Sequence, residues 1–108
     1  MEHPALQCFT PRSEPAVRLI CFPHAGGGAH AFAEWGALLP DWIEVHGVAY
    51  PGRGARSAEA FAASFEALAA ECASAARTLR DRPIALLGHS FGALVWPSVQ
   101  GPRARRRA

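Results

Sequence analysis

Lysine is absent from this sequence: all eleven cationic residues are arginine, set against nine acids. The formal charge of +2 hides an uneven split. Arg103, Arg105, Arg106 and Arg107 crowd the last six positions, and residues 1–100 carry a net −2. A mildly acidic body with a basic tail suits contact with an acidic partner. Nothing else resembles a nucleic-acid module, so no nucleic acid is expected. Long apolar runs are also missing. No stretch approaches the ~18 apolar residues of a membrane span, and MEHPALQCF lacks the basic-then-apolar form of a signal peptide. The expectation is a cytoplasmic protein with no membrane partner. Cysteine is scarce, and Cys8, Cys21 and Cys72 include no C-x-x-C pair. Their odd number and wide spacing support neither a disulfide framework nor a zinc site. All three read as small buried residues, and no metal or cofactor is called for.

What is present is an alternation of apolar runs and breakers. Val17–Phe22, closed by Pro23, reads as a buried strand, as do residues 43–50 and 84–87. A helix is expected over 29–39, stopped by Pro40. A longer one is expected over 58–80, where Phe61, Phe65, Leu68, Cys72, Ala76 and Leu79 form one stripe and Ser57 is a fair N-cap. Prolines make residues 1–16 an irregular segment with room for an edge strand at 6–9. Strand, loop, helix, strand, helix, strand is the order of an α/β fold with about three parallel strands and covering helices.

Gly88-His89-Ser90-Phe91-Gly92 follows the third strand directly and matches G-x-S-x-G at a strand-to-helix turn. Such a turn strains the serine and projects its hydroxyl above the sheet edge. A side chain at either glycine would meet neighbouring backbone. The helix behind it offers N–H groups to negative charge developing near Ser90. Ser90 is thus the candidate nucleophile. The backbone N–H groups of Phe91 and Ala25 are the candidate oxyanion hole, Ala25 lying in the glycine-rich loop His24-Ala25-Gly26-Gly27-Gly28. Read instead as a dinucleotide fingerprint, that loop would need an acid at the end of the second strand. The sole acid there, Glu44, sits near its start. A phosphate-binding loop would need a Gly-Lys-Ser/Thr, which is lacking.

"RLICFPHAGGGAHAF", "VHGVAYPGRGAR" and "PIALLGHSFGALV", in this order, resemble the type II thioesterases of polyketide and nonribosomal peptide biosynthesis. The resemblance spans roughly Val17 to Val95. It implies an α/β-hydrolase fold and hydrolysis of acyl thioesters from the phosphopantetheine arm of an acyl or peptidyl carrier protein, in an editing role. It also implies that His24, Gly26 and Gly27 support the oxyanion loop. An esterase or lipase of the same fold would use the same serine machinery. A non-catalytic piece binding a carrier or an acidic partner is the reading from another class.

A serine needs a base and the base an orienting acid, in the order Ser, Asp or Glu, His. After Ser90 the sequence holds no Asp, Glu or His. His24 and His46 are poor substitutes: the first belongs to the oxyanion loop, and the second reads as a packed or edge-exposed residue within a strand. Pro97 falls in the second turn of the helix expected after the elbow. The resemblance stops at the same place, so residues 96–108 read as an aberrant basic tail. The expectation is a partial α/β-hydrolase, truncated or frameshifted after the nucleophile elbow and inactive by itself. Its third strand would form a bare apolar edge with poor solubility.

Overall fold

In the computed structural model, described over residues 3–24, 26–88 and 92–95, each expected strand forms. After a two-residue β1 (Leu6–Gln7) come β2 (Val17–Phe22), β3 (Ile43–Val48) and β4 (Ile84–Gly88). The sheet order is β1-β3-β2-β4. β2 pairs in parallel with both β3 and β4, Ile20 standing beside His46 and Leu86, while β1 runs antiparallel along β3. The possible edge strand is therefore real, though short. Among the described residues β4 is paired through β2 alone.

The helices depart from expectation. The segment expected as one helix over 29–39 divides into a 3-10 turn, Ala29–Phe32, and a single α turn, α1 (Trp35–Leu38). Close packing explains the division. A Cβ on Gly47 would lie 2.9 Å from Ala29, and one on Gly36 2.7 Å from Thr10, so both glycines let backbone sit directly on its neighbour. Arg12 then donates to the carbonyls of Gly36 and Leu39 at the end of α1, occupying acceptors that a longer helix would use.

The second helix, α2, spans Phe65–Arg77 and starts later than its apolar stripe suggested. Ser64 is the N-cap, its Oγ accepting from the Ala67 N–H at 3.0 Å. Ser57 instead closes a 3-10 turn at Gly54–Arg56. Phe61 consequently lies outside the helix, 63% exposed beneath the Arg53 guanidinium. Leu68, Cys72 and Leu79 keep the buried part of the stripe.

Two apolar clusters cover the sheet. On one face Ile20, Phe22, Val48 and Tyr50 meet Leu68, Cys72 and Leu79 of the α2 segment, together with Val95. On the other, Cys21 and Val45 meet Phe32, with Trp35 and Leu39 against them. This is the two-sided cover expected of a largely parallel sheet. The strands are not apolar throughout, however. Toward the start of β2 and β3 the α2 face turns polar, with Arg18, Glu44 and His46. Cys21 and Cys72 are buried as expected; Cys8 is only half-buried, because β1 lies at the sheet edge.

Candidate active site

Because β2, β3 and β4 run the same way, their carboxyl ends share one edge of the sheet, where open α/β sheets place their ligands. Three loops leave this edge: the glycine-rich segment after Phe22, the Tyr50-Pro51-Gly52 segment after β3, and the chain after Gly88. Gly88 stands beside Phe22 in the register. Four residues later the chain is against Phe22 again. A Cβ at buried Gly92 would run into the Phe22 carbonyl, so only hydrogen fits there. Residues 92–95 are helical, and Val95 is fully buried in the α2-side cluster. Strand and helix thus follow in the order the G-x-S-x-G segment requires. His89, Ser90 and Phe91, between the two, lie outside the described residues, and so does Ala25. Residues 96–108 of the tail, with Pro97, lie outside them as well.

The glycine-rich loop folds back on its own histidine. The Gly27 N–H donates to the His24 carbonyl at 3.0 Å, and a Cβ on Gly27 would stand 2.6 Å from the His24 ring. Gly26 lies in the same turn, its Cβ position 3.9 Å from that ring. His24, Gly26 and Gly27 therefore act as one local unit, in which the imidazole packs where side chains would otherwise be. At the far end of the loop a Cβ on Gly28 would touch Gly54 Cα at 3.4 Å, joining this loop to the one after β3.

Two residues that sequence reasoning did not single out hold this edge together. The Tyr50 hydroxyl donates to the Pro23 carbonyl at 2.9 Å in a buried site. Burial pushes the Tyr50 phenol above its ordinary range, so it stays protonated and remains a donor. Arg56, 8% exposed, donates to the Ala49 carbonyl and forms paired bonds with both oxygens of Glu59 and of Glu71. It pins the Gly54–Arg56 turn to the end of β3 and to α2. Those carboxylates, Glu59 foremost, raise the Arg56 pKa further above its ordinary value. Both residues lie within "VHGVAYPGRGAR", so the motif held the signal, but their contacts are long-range and have no local pattern.

Glu44 and His46 lie toward the opposite end of β3. Glu44 accepts from the Arg12 N–H and from Arg18, and its Oε1 is 2.6 Å from His46 Nε2. Backbone and side-chain hydrogen bonds outweigh the effect of burial and hold its carboxyl below the usual range. An acid so engaged, remote from the glycine-rich loop, cannot hold a ribose there. The dinucleotide reading fails on geometry as it did on spacing.

Comparison with known proteins agrees with this arrangement. Residues 17–95 match the family model described as a thioesterase domain. The medium-chain S-acyl fatty acid synthase thioesterase of Rattus norvegicus is 40% identical over 91 residues, covering 83% of this chain and 35% of that protein. Gramicidin S biosynthesis protein GrsT of Aneurinibacillus migulanus is 42% identical over 83 residues, covering 77% and 32%. Among solved structures, the type II thioesterase BorB from the borrelidin biosynthetic cluster superposes with a TM-score of 0.82 at 33% identity. That match covers 92% of this chain and 40% of BorB. The chain spans about a third of the length of the rat and gramicidin relatives. From the parallel sheet, the glycine packed on Phe22 and these matches, the chain belongs to the thioesterase family, on an α/β-hydrolase sheet.

Proposed function

We propose that this chain supplies the nucleophile and oxyanion hole of a thioesterase that clears acyl groups from the phosphopantetheine arm of an acyl or peptidyl carrier protein. The observation that carries the reading is Gly92 against the Phe22 carbonyl at the carboxyl edge of parallel β2 and β4. That contact is what a G-x-S-x-G turn demands. The similarity to YbtT, a type II thioesterase from the yersiniabactin NRPS/PKS pathway, supports the choice of carrier-bound thioesters. Residues 17–95 form the thioesterase unit, flanked by residues 1–16 and by the basic tail 96–108. Three free thiols suit a cytoplasmic setting. Among the described residues no helix is long and apolar enough to cross a membrane.

In this mechanism the Ser90 hydroxyl attacks the thioester carbonyl. The Ala25 and Phe91 N–H groups receive the oxyanion, and His24 with Gly26 and Gly27 shapes the loop that presents Ala25. The departing thiol, with a pKa near ~8.5, needs little help from an acid. Water then cleaves the acyl-serine. No base follows Ser90 in the sequence, since residues 91–108 hold no Asp, Glu or His. The reaction as drawn therefore takes its base from outside residues 91–108, a role that added imidazole can fill.

The test is chemical rescue. The chain is incubated with an acyl-pantetheine thioester and with the matching oxygen ester, with and without imidazole, and acyl adducts are located by mass spectrometry. An imidazole-dependent adduct on Ser90, faster from the thioester and lost in Ser90→Ala, is expected. Faster reaction of the oxygen ester would make the chain an esterase fragment instead. An adduct that survives Ser90→Ala would remove Ser90 from its role.

A further inference from the structure

The cluster at the other end of the sheet has a composition the thioesterase reaction does not use. Its members converge through strand geometry. Side chains two apart on β3 share a face, so Glu44 and His46 point the same way. The antiparallel pairing of β1 with β3 sets Gln7 beside Gly47, and one step further brings Cys8 beside His46 on that face. One ligand atom from each of Cys8, Glu44 and His46 lies within 4.8 Å of the other two. Glu44 and His46 are buried and Cys8 is half-buried at the wall of an open cleft of about 820 Å³.

We propose that Cys8, Glu44 and His46 form a binding site for a divalent transition-metal ion of the zinc type, with the fourth position open to the cleft. A thiol, an imidazole and a carboxylate are the three donor types that zinc takes, and three protein ligands plus water form its open-site pattern. Binding forms Zn–S, Zn–N and Zn–O bonds and releases the Cys8 thiol proton to solvent. His46 ligates through Nε2, which faces Glu44, and carries its proton on Nδ1. One thiolate and one carboxylate then balance the two charges of the ion, and Asp81 balances Arg18.

Arg18 is shared between Glu44 and Asp81, bonding both oxygens of the latter at 3.1 and 3.0 Å, so it keeps a carboxylate partner when a metal ion takes its place on Glu44. The Arg12 N–H holds Glu44 Oε2 at 2.8 Å and orients the carboxylate from behind, while Oε1 meets both Arg18 and His46.

The site also has a structural consequence. β1 has only two residues paired to β3, and a metal joining Cys8 to His46 would staple this edge strand to the sheet.

The experiment titrates the reduced 108-residue chain with Co2+ alone and then with Zn2+ alone. One Co2+ per chain is expected, with the near-ultraviolet sulfur-to-cobalt charge-transfer band that reports a thiolate ligand, and Zn2+ should abolish the band. Cys8→Ser should remove the band while Cys72→Ala retains it. Glu44→Gln and His46→Gln should each weaken Co2+ binding at least tenfold, in line with loss of a ligand. Zinc should protect Cys8 of the unaltered chain against iodoacetamide, a readout that needs no variant to fold. Cobalt bound without the sulfur band, a band surviving Cys8→Ser, or alkylation of Cys8 unchanged by zinc would each overturn the proposal.

Discussion

The hydroxyl of Tyr50 and the carbonyl of Pro23 meet at 2.9 Å, both in buried surroundings, and so link the loops that follow β3 and β2. The phenol is the sole polar atom of a side chain otherwise packed among Ile20, Phe22 and Val48. Tyr50→Phe keeps that packing and removes the bond. We expect a loss of about 1 kcal/mol and a fall in Tm of roughly 4–8 °C for a domain of this size, read by thermal unfolding. An unchanged Tm would mean that the two loops hold their places without this link.

Gly92 tests the close approach of the chain after β4 to Phe22. A methyl there meets backbone, the Phe22 carbonyl, and backbone cannot swing aside as a flexible side chain can. Gly92→Ala should cost about 1–3 kcal/mol by overpacking, measured by urea denaturation. A neutral result would sink the close-approach reading of this segment.

Arg56 is the most heavily bonded side chain at the carboxyl edge. Arg56→Met should destabilise by about 2 kcal/mol, since it strips charged partners from Glu71 and Glu59 and leaves the Ala49 carbonyl without its donor. Arg56→Lys should recover only part of that loss, because one ammonium cannot form two paired carboxylate contacts. Equal stability of the Lys variant and the parent would show that charge alone suffices.

Acid should weaken the fold through Glu59 and Asp81. Hydrogen bonding to Arg56 lowers the Glu59 pKa, and hydrogen bonding to Arg18 lowers that of Asp81. A carboxyl with a depressed folded pKa stabilises the protein fully above its unfolded value, ordinarily 4.5 for Glu and 3.8 for Asp. The contribution is lost as pH falls through the folded value. Stability should therefore decline below those ordinary values, with a shallower decline in Glu59→Gln. Urea midpoints between pH 6 and pH 3 supply the measurement, and coincident profiles for parent and variant would contradict the assignment.

The start of α2 provides a local test. Ser64→Ala removes the side-chain acceptor of the Ala67 N–H and should cost about 1 kcal/mol. Ser57→Ala should cost little, because Ser57 ends a 3-10 turn instead of opening the helix. A reversed order of the two effects would restore the longer helix that the apolar stripe suggested.

The sequence by itself determined where the parallel strands lie: apolar runs at 17–22, 43–50 and 84–87, each closed by proline or glycine, became the strands Val17–Phe22, Ile43–Val48 and Ile84–Gly88. It also pointed to the family, because three motifs stand in a fixed order along the chain. The helices were less legible. Phe61 continues the stripe in sequence, but Arg56 holds the preceding turn against β3 and α2, and the helix starts only after it. Only the tertiary structure decided which distant groups meet. Tyr50 reaches Pro23 across 27 positions, and Cys8 comes to His46 because an edge strand of two residues pairs antiparallel with β3. A half-buried cysteine and a strand histidine look like ordinary packing one at a time. Their chemistry arises from pairing register, which no local pattern in the chain records.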